Sequence, residues 1–266
     1  MPGVLGADDI EHFVELGWCR LPAAFARDDA AAVLDELWRR VTAKRGIARD
    51  EPETWPEAYD LEERLDAPPV HRCFTDRLAG AIEQLVGPGR WSGCRQWGFW
   101  PINFSSGAHE PEPFPVWGWH VDGNWFTHTV DCPRQGLLVI GLFTDIAPGG
   151  GGTVVAERSH RRTARVLAEH PAGLSHRELF DRVLAEPLGG FREMIGEAGD
   201  AILAHPFLFH TRGYKRLGPP RVISNTEAPL REPMRPACPS APVEYAISRA
   251  LVESDLVPPD AMRCRF

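Results

Sequence analysis

The hydrophobic pattern of this chain changes period after Arg90, which limits the fold to a helical layer followed by a β-rich unit. Upstream, Ile10, Phe13 and Val14 share one face of a short helix, with Asp8 and Glu11 spaced as a capping box and Gly17 as its stop. Val33, Leu34, Leu37, Trp38 and Val41 repeat at helical spacing across 28–41, ahead of Gly46. Leu78, Ile82 and Leu85 do the same across 75–86, ahead of Gly87. Downstream, short apolar runs at 91–104, 116–126, 136–146, 153–157, 201–210 and 221–229 read as strands separated by glycine and proline turns. Two helical stretches, 161–169 and 175–185, interrupt them. Strands gathered after helices predict a mainly β fold with helices (α+β), a double-stranded β-helix of jelly-roll, cupin-like form backed by N-terminal helices. A length of 266 residues suits one such domain spanning 1–266, and no internal repeat divides it.

Composition narrows the function. Hydrophobic residues at 43% against 25% charged can build a sizeable core, which excludes wholesale disorder. A net charge of −8 argues against a nucleic-acid partner, which needs a basic face. Cysteines 19, 73, 94, 132, 238 and 264 form no CxxC pair and are expected as free thiols in a reducing compartment. With no charged-then-apolar leader and no apolar run of membrane length, a soluble cytoplasmic protein without a membrane partner is expected. The sequence leaves the oligomeric state open.

The chemistry-bearing residues lie in the β-rich part. In Trp119-His120-Val121-Asp122-Gly123, His120 and Asp122 stand two apart, so on a strand they project from one face while Trp119 and Val121 face away. A second imidazole from a neighbouring strand completes the two-histidine, one-carboxylate set of mononuclear non-haem Fe(II), which leaves positions for an oxo-acid and dioxygen. Ala201 to His210 can supply that strand. Arg221 opens the β-branched run Arg221-Val222-Ile223-Ser224-Asn225 after the turn-rich segment 213–220, and its forked guanidinium suits a carboxylate. Spacing alone does not choose the second histidine, because His205 precedes Arg216 by the same interval as His210 precedes Arg221. Arg216 falls within a turn, whereas Arg221 starts a strand, so His210 is preferred, with His205 and His160 as buried packing residues.

These segments resemble the phytanoyl-CoA dioxygenase family of 2-oxoglutarate-dependent oxygenases. The resemblance is carried by Gly199-Asp200-Ala201 through His210 with Arg221 beyond, by the upstream HxD, by Ile10 to Trp18 at the start of the chain, and by Gly150-Gly151-Gly152-Thr153 leading to Ser159-His160. It implies that His120, Asp122 and His210 bind Fe(II) and that Arg221 salt-bridges the far carboxylate of 2-oxoglutarate. Thr153, after the glycine turn, is a candidate second contact to the oxo-acid. The implied reaction consumes dioxygen and 2-oxoglutarate, releases succinate and carbon dioxide, and hydroxylates a small organic molecule, with ascorbate as a possible reductant. Relatives that halogenate lack the ligand carboxylate, so Asp122 favours hydroxylation.

The chain departs from the family at Arg212, where some members carry a hydroxyl residue, at Lys215, where asparagine is frequent, and at Arg158, where glycine is usual. Basic clusters at 158–165 and 212–216 read as solvated charge, with recognition of an anionic substrate as the functional alternative. The segment 101–115 reads as a lid, and 44–70 as a loop. A non-catalytic metal-binding jelly roll and a protein side-chain hydroxylase stand as alternatives to a small-molecule oxygenase.

Overall fold

The structure is a computed structural model that describes residues 3–258. In chain order its helices and strands begin with α1 (Ala7–Leu16), β1 (Trp18–Leu21), α2 (Arg27–Arg45), β2 (Ala58–Glu62), α3 (Pro68–Arg72), α4 (Asp76–Val86), β3 (Phe99–Asn103) and β4 (Leu138–Leu142). They continue with β5 (Thr153–Ala156), α5 (Ser159–Ala168), α6 (His176–Val183), β6 (Phe191–Glu193), β7 (Ala201–Ala204), β8 (His210–Arg212), β9 (Arg221–Glu227) and α7 (Pro242–Val252).

The helices form for local reasons that the sequence exposes. α4 buries Leu78, Ile82 and Leu85, each contributing about 2 kcal/mol by leaving water, and the Thr75 hydroxyl accepts the Leu78 N–H at 3.1 Å. Ser175 and Glu178 close a capping box on α6. At α1 the cap differs from the expected Asp8 and Glu11 pair: the Asp9 carboxylate accepts the Gly6 N–H at 2.9 Å, so the box starts earlier, at Gly6.

The strands make two antiparallel sheets, one in the order β1-β7-β4-β9-β3-β2 and one in the order β6-β5-β8. Alternation sorts the larger sheet into two faces. Val139, Leu203, Val222, Trp100 and Ile102 pack outward with the helices in one core. Leu138, Ile140, Leu142, Ile202, Ala204 and Ile223 pack inward with Val155 of the smaller sheet. The expected double-stranded β-helix backed by helices is thus an α+β arrangement of two facing sheets.

Two expected strands are corrected. Residues 116–126 form no strand; His120 makes a lone antiparallel bridge with His210. Gly118 and Gly123 have φ of 76° and 108°, left-handed conformations that end an extended ladder. The apolar run 201–210 is two strands in different sheets, separated at Pro206, which has no N–H to give. His205 closes that corner, accepting the Phe207 N–H on Nδ1 at 3.1 Å. β1, β2, β6, α3 and α7 were not foreseen, and β2 lies inside the expected loop 44–70. Cysteines 19, 73, 94 and 132 are free thiols, as expected, while Cys264 lies outside the described residues. Among the described residues, no helix is long and apolar enough to cross a membrane.

Candidate active site

His120 and His210 face one another through reciprocal backbone hydrogen bonds of 3.0 and 2.8 Å, which put both imidazoles on the inward side with ring centres 4.4 Å apart. Asp122 follows round the corner, its Oδ1 3.6 Å from Nε2 of each histidine. One donor atom from each of the three residues falls within 4.8 Å of the others. The three residues singled out in the sequence are therefore brought together, although a bridge and a glycine-bent segment converge them instead of a continuous strand.

The second nitrogen of each ring fixes its tautomer. His120 Nδ1 donates to Gly118 O at 2.7 Å and His210 Nδ1 to Leu208 O at 3.1 Å, which leaves both Nε2 lone pairs aimed at the centre. His210 Nε2 is buried and has no hydrogen-bond partner. An orphaned acceptor beside a carboxylate is what a divalent metal would satisfy, so the residues fit the ion. Burial, then the neighbouring His210, pushes His120 down to about 4, so it is neutral at pH 7. Burial works to raise Asp122, but His210, His120 and His176 together outweigh it and hold the carboxyl below its ordinary value. Asp122 in turn raises His210 against the effect of burial, so a metal would displace a proton there.

Arg221 opens β9 on the same inward face as Ile223. It is buried, and its Nε and Nη1 donate to the carbonyls of Gly151 and Pro101 at 2.7 and 3.2 Å. Among the described residues no carboxylate forms an ion pair with it, because the nearby Asp60 is held by Arg212 at 2.6 and 2.8 Å. Burial, followed by Arg212, lowers Arg221 to about 9. Pairing of β5 with β8 sets Thr153 opposite Arg212 and Val155 opposite His210, so Thr153 shares the inward face one step from the triad toward Arg221.

The departures from the family pattern have structural explanations. Arg212 fills the hydroxyl position and crosses to Asp60 on β2, a pairing invisible before β2 was placed. Lys215 is buried, and its Nζ donates to Gly218 O at 2.8 Å, tying off the turn. Arg158 adopts φ 68° at the start of α5, the conformation that glycine serves elsewhere, and pairs with Glu15 at 2.8 Å. Arg161 also pairs with Glu15 and Glu253, so this cluster is spent on holding helices together. His205 donates to Val243 O at 3.1 Å and packs 5.1 Å from His160, which confirms both as packing residues. The glycine turn has its own logic: Gly149, Gly151 and Gly152 donate backbone N–H groups to Glu193 at 2.8, 2.9 and 3.0 Å. The segment expected as a lid is fastened by Arg216, which donates to Glu110 O at 2.8 Å.

Two inward residues escaped the sequence reading. Across β4 and β9, Asn225 pairs with Ile140 and Glu227 with Leu138, so both continue the row begun by Arg221 and Ile223. Burial, then Asp122, lifts Glu227 to about 7. Their period-two spacing from Arg221 was visible, but the direction of the face was not.

The fold is shared by solved structures described as bound to 2-oxoglutarate or dependent on it. HygX from Streptomyces hygroscopicus, solved with nickel and 2-oxoglutarate bound, is similar at a TM-score of 0.52 and 16% identity, over 83% of this chain and 85% of that one. SnoK, a non-haem α-ketoglutarate-dependent carbocyclase from nogalamycin biosynthesis, gives 0.54 and 15%, over 83% and 82%. AviO1 from Streptomyces viridochromogenes gives 0.54 and 18%, over 88% and 99%. No family model and no curated protein matches the sequence.

Proposed function

We propose that this chain is an Fe(II)/2-oxoglutarate-dependent oxygenase of the phytanoyl-CoA dioxygenase type, forming one domain and hydroxylating a small organic molecule such as a natural-product intermediate. One observation carries the reading: a two-histidine, one-carboxylate triad and a buried guanidinium with no carboxylate partner among the described residues both lie on the inward side of the two sheets. A ligand with a chelating group at one end and a carboxylate at the other satisfies both, which describes an oxo-diacid. The similarity to HygX and SnoK, whose structures are described with 2-oxoglutarate or as dependent on it, supports the choice.

His120, Asp122 and His210 would hold Fe(II), each histidine through Nε2. Iron there would supply activation of dioxygen and oxidation of the oxo-acid to succinate and carbon dioxide. The protein's part is positional. Arg221 grips the far carboxylate, Thr153 offers a hydroxyl on the same wall, and Leu138, Ile140 and Ile223 keep water from the inner cavity. Asp122 fills the third protein position, which favours hydroxylation over halide transfer.

Anaerobic titration of the apoprotein with Fe(II) and 2-oxoglutarate tests the reading through the visible charge-transfer band of the chelate. The band is expected in the native protein and absent in His210→Ala. Iron binding without the band would favour a metal-binding protein that is not an oxygenase.

A further inference from the structure

Beyond the triad, β9 carries two further hydrogen-bond acceptors on its inward face. The Asn225 side-chain oxygen is buried and has no partner among the described residues. Glu227, two residues on and half-buried, shares its face, as its pairing with Leu138 shows. Among the described residues, no positively charged side chain offsets Glu227. Phe99 pairs with Asn225 across β3 and β9, on the same face, and keeps 37% of its surface exposed. Thus a carboxylate, an amide oxygen and an open aromatic ring occupy adjacent positions on one inward face, at the opposite end of β9 from Arg221. An unmet buried acceptor such as that of Asn225 costs free energy unless a ligand supplies a donor.

We infer that Asn225, Glu227 and Phe99 form the substrate subsite, and that they select an organic substrate bearing a protonated amine. This rests on the oxygenase reading and specifies its substrate class. An ammonium brings three donors, supplies a positive charge beside the Glu227 carboxylate, and lies favourably over an aromatic face. A neutral polyol would satisfy Asn225 but would leave Glu227 without a counter-charge, and an anionic substrate such as an acyl phosphate would be repelled by it. Arg221 and Glu227, at opposite ends of one strand face, thereby sort an anionic co-substrate from a cationic substrate within one cavity.

The probes are cyclohexylammonium and cyclohexanol, matched in ring size and differing in charge. Their dissociation constants are read by saturation-transfer NMR on the full chain loaded with Zn(II) and 2-oxoglutarate. Cyclohexylammonium is expected to bind about tenfold tighter, the scale of one charge-assisted hydrogen bond. Glu227→Gln, checked for native near-ultraviolet circular dichroism, is expected to erase that preference while leaving cyclohexanol within about twofold. Asn225→Asp, which changes the charge in the opposite sense, is expected to widen the preference. Equal binding of the two probes to the native protein, or a preference unchanged in both variants, overturns the inference. Equal probe binding in a protein that shows the Fe(II) and 2-oxoglutarate chelate band refutes the amine subsite alone; loss of the band itself refutes the oxygenase reading beneath it.

Discussion

Replacing Arg221 by glutamine separates binding from stability. In the protein without co-substrate, the buried guanidinium makes two hydrogen bonds to backbone carbonyls, which contribute about 1.5–3 kcal/mol each for a charged donor. Against this stands the fall from an ordinary value of 12.5 to about 9. At about 1.4 kcal/mol per pH unit, that is roughly 5 kcal/mol against the charged form. The two effects nearly cancel, so Arg221→Gln is expected to change unfolding free energy by no more than about 2 kcal/mol in either direction. Co-substrate affinity behaves differently, because the lost partner is a buried, charge-paired one. A cost of about 2–5 kcal/mol there lowers 2-oxoglutarate affinity on the order of a hundredfold or more. The assay is urea unfolding of Mn(II)-loaded native and variant protein, with and without 2-oxoglutarate. At a hundred times its dissociation constant the ligand adds about 2.7 kcal/mol to the native protein, and it should add almost nothing to the variant. Equal stabilisation of both proteins would refute the placement of Arg221 as the carboxylate seat. Severe destabilisation of the variant without ligand would refute the cancellation.

Two further outcomes are expected. Gly151→Ala should destabilise the fold by about 1–3 kcal/mol in chemical unfolding, because φ there is 79° and an added Cβ would lie 2.8 Å from Lys215 Cβ; it should also weaken 2-oxoglutarate binding by disturbing the carbonyl that Arg221 uses. For His205, which burial lowers to about 3, and His160, lowered chiefly by burial and then by His205, the unfolded state binds more protons once pH drops below about 6.5. Their contribution to stability is therefore fully present above that pH and is lost as pH falls from there toward 3, at about 1.4 kcal/mol per pH unit for each histidine. Urea unfolding across pH 7 to 4 should show a shallower slope in His205→Gln.

How much of this was legible beforehand varies residue by residue. The helical spacing in α2 and α4 and the β-branched character of β9 were read correctly, because each depends on periodicity within a few turns. β2 was hidden in a polar, proline-containing stretch, since an edge strand with the half-buried pattern of Ala58–Glu62 carries little apolar signal. Its concealment hid Asp60 and left Arg212 as an unexplained departure. The break at Pro206 was present in the sequence, but the apolar residues on both sides masked it, since one half belongs to each sheet.

The sequence by itself supplied the candidate donors. A histidine and an aspartate two apart, a later histidine and an arginine starting a strand are choices of residue type, and the chemistry of imidazole, carboxylate and guanidinium follows from identity alone. Only the tertiary structure decided which face each residue joins. Period-two alternation is unchanged when inside and outside are exchanged, so Asn225 and Glu227 could not be assigned to the cavity until Leu138 and Ile140 fixed their register. The same holds for Arg221, whose lack of a carboxylate partner depends on Asp60 having been claimed from another strand by Arg212.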